Sequence, residues 1–306
     1  MNTPPRVAGT PLEQVLRRLE LEVSRRLDGL LQGDYRGLVP GHGSEPGDAR
    51  AYVEGDDVRR IDWNVTARMI DPHVRDTVAD RELEAWLLLD RSASLDFGTA
   101  SCEKRDLALA AAAAVGFATL RGGNRVGAVL AEGDRTRTIS ARSGRTNLLA
   151  LLHRLGEGGA AEGAADLEAA LRRLAATATR RGLAVVISDF LAPEGWERPM
   201  RALGGRHDVL AIEVIDPREL ELPSVGVLDL VDPETGRHRE IQTSSPKLQA
   251  RYAEAAAAQR EGIARAIRSA GADHLVLRTD RDWLLDLVRF VTLRRARLQT
   301  IRRAAP

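Results

Sequence analysis

The chain has 306 residues, 43% hydrophobic and 29% charged, with a formal net charge of +1. That length holds one large α/β domain with an appendage, or two small domains, around a core that must be aliphatic because only 4% of residues are aromatic. Near-neutrality excludes bulk electrostatic attraction to nucleic acid or an anionic membrane, and a single cysteine, Cys102, excludes a disulfide framework or a thiolate metal cluster.

Residues 1–10, rich in Pro, Gly and Thr, read as a disordered leader without the apolar centre of a secretory signal. From 11 to 32, Leu12, Val15, Leu16, Leu19, Leu21, Val23, Leu27, Leu30 and Leu31 predict an amphipathic helix, with Pro11 suited to its first turn. The stretch 33–50 has glycines at 33, 37, 41, 43 and 47 and no sustained period, so it reads as loop with a short strand. Gly41-His42-Gly43 follows no strand and opens no helix, which argues against a phosphate-binding loop. Between 50 and 80, charges of both signs interleave with Tyr52, Val58, Ile61 and Trp63. A turn at Gly55-Asp56-Asp57 and a short helix anchored by Trp63 account for this segment, with arginine–aspartate pairs fixing it. The rival account is a charged patch that touches a substrate or partner. His73-Val74-Arg75 through Val78 continues as a strand.

From Glu84 onward the pattern alternates. Strands are predicted at 84–90, 125–131, 135–140, 183–187, 208–215 and 274–278, and helices at 104–121, 146–155, 166–179, 200–203, 246–270 and 283–298. Thr146 is the expected N-cap of its helix, and segments 225–231 and 237–242 flank a hairpin turn at 232–236. The expected fold class is α/β, a mostly parallel sheet with helices on both faces, plus the N-terminal helix and an irregular/β segment. The expected domains are the 1–10 leader, an 11–80 segment packing on the main domain, and the main domain at 81–298. No apolar run approaches the roughly 18–20 residues that span a bilayer, so the expected protein is cytoplasmic, without an integral membrane segment.

Three predicted strands end in an acid: Asp90, Asp189 and Asp216. In Asp90-Arg91-Ser92-Ala93-Ser94 the acid is followed by two alternating serines. Ligands of parallel sheets collect beyond the strands' carboxyl ends, and three hard oxygen donors there suit Mg²⁺. Asp90 and Asp189 meet if their strands are neighbours. As a phosphoryl-transfer nucleophile Asp90 lacks the usual second acid two residues on, where Ser92 stands. Ser92 in turn lacks the glycine-flanked elbow of a hydrolase nucleophile. The histidines, at 42, 73, 153, 207, 238 and 274, form no pair at metal-ligand spacing.

These motifs carry a family resemblance. The runs Gly55-Asp56-Asp57-Val58-Arg59-Arg60-Ile61-Asp62-Trp63, Leu87-Leu88-Leu89-Asp90-Arg91-Ser92-Ala93-Ser94 and Phe97-Gly98 resemble the bacterial family called domain of unknown function 58. So do Lys104, Arg125-Val126-Gly127, Ile187-Ser188-Asp189-Phe190, Asp216-Pro217-Arg218-Glu219, Leu222-Pro223 and Asp232-Pro233-Glu234-Thr235-Gly236. The resemblance spans about 37–245 and implies a von Willebrand factor A-like (Rossmann-like) domain, in which Asp-x-Ser-x-Ser begins a metal-ion-dependent adhesion site. Residue by residue it maps onto Asp90, Ser92 and Ser94, with Asp189 as the acid after a later strand and Mg²⁺ as the candidate cofactor. Where the pattern wants a threonine this chain has Ala165, leaving the site one oxygen short; Mg²⁺ retains water readily enough to fill such a gap. Many relatives carry two N-terminal membrane helices that this sequence lacks. The resemblance also implies partnership with an AAA+ ATPase of the MoxR type, or with a client protein, in assembly or maturation. The expected function is therefore a non-enzymatic protein-interaction module. The alternative is a metal-dependent hydrolase using Asp90, Asp189 and the acids of 56–62. A third reading makes the crevice vestigial, with Asp90 paired to Arg91 or Arg142.

Overall fold

The computed structural model describes residues 4, 11–30, 46–53, 61, 63–69, 71–77, 83–120, 123–158, 163–231 and 237–304. Its contacts divide the chain into two units, 1–39 with 83–306, and 40–82. The acids Asp56, Asp57 and Asp62, the 1–10 leader apart from Pro4, Gly41-His42-Gly43 and the 232–236 turn lie outside the described residues.

Helix α1 (Leu12–Leu30) opens the larger unit, and its leucine–valine stripe is buried: Val15, Leu16, Leu19 and Val23 join the main core. It groups with the α/β unit rather than with the 40–82 segment. That smaller unit pairs β1 (Pro46–Ala51) antiparallel to β2 (His73–Thr77). Between them α2 (Trp63–Thr66) begins at Trp63, whose side chain is exposed, and Thr66 Oγ1 accepts from the His73 N–H at 3.0 Å.

In the larger unit, β3 (Glu84–Asp90), α3 (Lys104–Leu120), β4 (Arg125–Glu132), β5 (Arg135–Arg142), α4 (Arg145–Gly156) and α5 (Leu167–Thr177) follow in order. Then come β6 (Leu183–Ser188), α6 (Glu197–Gly204), β7 (Asp208–Ile215), β8 (Val227–Val231), β9 (His238–Gln242), α7 (Pro246–Ser269), β10 (Asp273–Arg278) and α8 (Trp283–Ala304). Six strands form one sheet in the order β10-β7-β6-β3-β4-β5, parallel except for the β4–β5 hairpin. Strands β8 and β9 form a separate antiparallel pair. This is the helix-covered, mostly parallel α/β sheet expected from the alternation.

A buried central strand explains the uninterrupted apolar run before Asp90. Successive side chains of β3 point to opposite faces: Ala85, Leu87 and Leu89 enter the core shared with α1, α3, α4 and α8, while Trp86 and Leu88 enter the core shared with α5, α6 and α7. Helix α3 is buried on nearly all sides, and its run Ala110–Ala114 lets sheet and neighbouring helices approach closely. Thr146 does not cap α4. Gly144 takes that position at φ 92°, and Thr146 lies exposed within the first turn. The cap predicted from residue type gave way to a glycine whose positive φ costs no Cβ clash. Among the described residues no helix is long and apolar enough to cross a membrane.

Candidate functional site

The chain leaves β3 toward β4 and β5 on one side and later returns to lay β6 and β7 on the other. The order reverses between β3 and β6, and an open α/β sheet parts its loops into a ligand-binding crevice at such a point. Because β3 and β6 are hydrogen-bonded neighbours, with Leu89 opposite Ile187, their terminal acids Asp90 and Asp189 emerge side by side. The sequence-predicted residues are thus brought together at one sheet edge.

Asp90 is buried, and among the described residues its hydrogen-bond donors are neutral. Its Oδ1 accepts from the Ser92 N–H at 2.8 Å, and its Oδ2 accepts from the Ser188 hydroxyl at 2.6 Å. The Ser92 and Ser94 hydroxyls lie 2.9 Å apart in a short 3₁₀ turn, and the Ser94 hydroxyl also bonds Asp189. Among the described residues no ammonium or guanidinium forms an ion pair with Asp90. Arg91, a partner expected on the vestigial reading, instead bridges Glu132 at 3.4 Å, and Arg142 is exposed on β5. The backbone turns Arg91 away, since its N–H donates to the Ala131 carbonyl on β4. Burial, then the neighbouring charge of Asp189, pushes the Asp90 carboxyl up to about 6.

Asp189 has the opposite environment. Burial would raise its carboxyl, but the Lys104 ammonium at 2.7 Å outweighs burial and holds it below the ordinary carboxylate value. Lys104 is fully buried at the first turn of α3 and also bridges Glu219, and the two carboxylates together raise it despite its desolvation. Glu219 bonds Arg260, which also reaches Glu213 and the Asp189 carbonyl. Glu213 in turn meets His274 at 2.8 Å. A chain of alternating charges therefore runs from Asp189 through Lys104, Glu219 and Arg260 to Glu213 on β7, where the His274 imidazole of β10 meets it. Asp216, the third strand-end acid, does not join it as a cation ligand. It accepts from Thr99, Arg218 and Thr279, which overcome its burial and keep it below the ordinary value. Its role is to tie the loop after the serines down to β7. Gly98 in that loop lies so close to the start of α3 that a Cβ would overlap the backbone of Cys102 and Glu103.

Phe190, directly after Asp189, adopts φ 56°, a conformation rare for a bulky residue and common at functional sites. The turn is held by its N–H donating to Ser188 Oγ at 2.9 Å and by its ring packing 5.2 Å from Trp196. Ala165 is 2% exposed and belongs to the apolar cluster with Trp86, Leu88 and Phe190, while Asp166 caps α5 through the Ala169 N–H. A cavity of about 10 Å³ beneath Asp90 and Ser92 has room for a single water. The larger groove, about 490 Å³, lies between α1 and α4, is lined by residues such as Arg17, Arg145 and His153, and contains none of the strand-end acids.

The donor set fits a hard cation: a buried carboxylate with no ion-pair partner and two adjacent hydroxyls, backed by a second carboxylate. Sequence reasoning passed over Ser188, Glu219 and Arg260 as site residues and gave Lys104 no role. One compositional signal pointed to it, since among 45 basic residues only Lys104 and Lys247 are lysines. A compact ammonium with three donors can serve two carboxylates from one small volume. Among the described residues no group of three or more His, Cys, Asp or Glu side chains is placed to hold a metal, and Asp56, Asp57 and Asp62, which the hydrolase alternative requires, lie outside the described residues.

The family model described as "Protein of unknown function DUF58" matches residues 48–262. The chain belongs to this family. It is 55% identical over 286 residues to the uncharacterized protein Rv1480 of Mycobacterium tuberculosis, covering 93% of this chain and 90% of that one. The uncharacterized protein Mb1516 of Mycobacterium bovis matches to the same extent. Among solved structures, BatB from Bacteroides thetaiotaomicron is similar over 70% of this DUF58 chain and 99% of its own, at 13% identity and a TM-score of 0.45. The SpRpn10 VWA domain is similar over 68% of this chain and 94% of its own, at 13% identity and a TM-score of 0.40.

Proposed function

We propose that this DUF58 protein is a non-enzymatic protein-interaction module whose contact point is the crevice at Asp90, of the metal-ion-dependent adhesion type. The observation that carries this reading is Asp90 itself, a buried carboxylate that faces two serine hydroxyls and has no cationic partner among the described residues. Such a group is costly when ionised and unpaired, and a divalent cation is the ligand that best relieves it. Asp90, Ser92 and Ser94 are the residues to hold Mg²⁺, with Asp189 behind them. A bound Mg²⁺ would supply a Lewis-acidic position to which a carboxylate of the partner can add. Ser188 fixes the orientation of Asp90, and the Asp216 anchor fixes the loop that carries the serines. The absence of a nucleophile elbow at Ser92 and of a second acid at position 92 favours binding over turnover. The partner class we propose is an AAA+ ATPase of the MoxR type or a client protein under assembly, met in the cytoplasm.

The test is a capture experiment with the purified full chain and a purified MoxR-type ATPase, with Mg²⁺ and with chelator. Mg²⁺-dependent retention that Asp90→Ala abolishes is the expected result. Retention of the ATPase unaffected by chelator and by Asp90→Ala would remove the crevice as the contact point.

A further inference from the structure

We infer that Lys104 is a resident counter-ion that sets the cation affinity of the crevice, keeping it weak and exchangeable. The inference rests on the metal reading above and adds the residue that tunes it. Two buried carboxylates at neighbouring strand ends would together present two negative charges to an incoming ion. The Lys104 ammonium, 2.7 Å from Asp189 Oδ2, cancels one of them. It is not a swinging surface lysine. Its side chain is fully buried, its backbone N–H donates to the Phe97 carbonyl at 2.9 Å, and its Nζ lies 6.0 Å from the centre of the Phe97 ring. Glu219 holds the same ammonium from the other side and is itself held by Arg260 at 3.0 Å.

The choice of residue fits the role. The chain uses arginine for nearly every other basic position, and several of its arginines bridge carboxylates elsewhere in the fold, as Arg294 does with Asp208 and Asp273. At position 104 it has a point charge with three donors, able to serve Asp189 and Glu219 from one small volume. With Lys104 in place the crevice presents Asp90 as the one uncompensated carboxylate among its described residues. Mg²⁺, which surrenders its water reluctantly, is then held by one full charge and hydroxyls.

The test is Mg²⁺ binding to the full chain by titration calorimetry, repeated with Mn²⁺ by electron paramagnetic resonance. Lys104→Met should tighten binding roughly 1,000-fold or more, the effect of removing one unit charge within about 8 Å of a divalent ion at an effective dielectric of about 20. Lys104→Arg, which keeps the charge, should stay within about threefold of the parent. If Lys104→Met does not fold, the double variant Lys104→Met/Glu219→Gln removes one charge of each sign and carries the same expectation of tighter binding. Tighter binding in the neutral variants, with or without measurable binding in the parent, supports the inference. Binding by the parent with no gain in either neutral variant would overturn the role of Lys104 and leave the metal reading intact. No binding in the parent or any variant would overturn both.

Discussion

Asp90 and Asp189 are the same residue type, are both buried, and sit at the ends of neighbouring parallel strands. Yet their carboxyls are displaced in opposite directions, Asp90 up to about 6 and Asp189 below its ordinary value. Burial acts alike on both. The difference among the described residues is one ammonium: Lys104 faces Asp189, and neutral donors face Asp90. Within one crevice, then, one carboxylate is a finished structural ion pair and the other is left requiring a cation or a proton.

The largest expected effect comes from removing that ammonium. In metal-free solution Lys104→Met strands Asp189 as a buried charge, while Glu219 keeps Arg260, and should destabilise the fold by about 3–5 kcal/mol in urea denaturation. A loss under 1 kcal/mol would mean that the pair is not what distinguishes the two acids. Asp90→Asn should act in the other direction. The folded state binds the Asp90 proton more tightly than the ordinary value of 3.8, so Asp90 favours folding below that pH, and its contribution is lost as pH rises through about 6. Above pH 6 its ionisation costs about 3 kcal/mol. Without metal, Asp90→Asn should therefore be more stable than the parent at neutral pH by up to about 3 kcal/mol, with the gain vanishing toward pH 4. A gain that instead grows on acidification would invert the assignment.

Smaller effects probe the walls of the crevice. Ala165→Thr, which would restore the missing threonine, places a hydroxyl in the apolar cluster around Trp86 and Leu88. It should cost about 1–3 kcal/mol and bring no Mg²⁺ affinity; a gain in affinity would show that position 165 reaches the site. At Phe190, both Ala and Gly lose the packing on Trp196, but only Gly is relaxed at φ 56°. Phe190→Gly should therefore be more stable than Phe190→Ala by about 1 kcal/mol, against the usual entropic cost of glycine.

The same two acids show how far the sequence could be read. The apolar run ending at Asp90 and the alternation after it revealed the sheet, since a strand buried on both faces reads as a near-continuous apolar run, as β3 does between Glu84 and Asp90. The neighbourhood of Asp90 and Asp189 was legible once the strands were taken as parallel partners. Their electrostatic difference was not. Lys104 lies 85 positions from Asp189, and Arg260 reaches Glu219 across 41. Nothing local in either strand announces the partner that topology supplies. For the same reason Arg91, adjacent in sequence, was an attractive mate for Asp90, and it proved to be drawn toward β4 and Glu132. The Thr146 cap failed on a local rule alone, displaced by a glycine two residues earlier.

The central claim is that Asp90 is the carboxylate left open for a cation. Calorimetric titration of Mg²⁺ into the full chain and into Asp90→Asn, both at neutral pH, tests it most directly. The parent is expected to bind one ion, with affinity declining as pH falls through 6, and Asp90→Asn is expected to bind none. Equal binding by the two proteins, or no Mg²⁺ binding by the parent and by Lys104→Met alike, would contradict it.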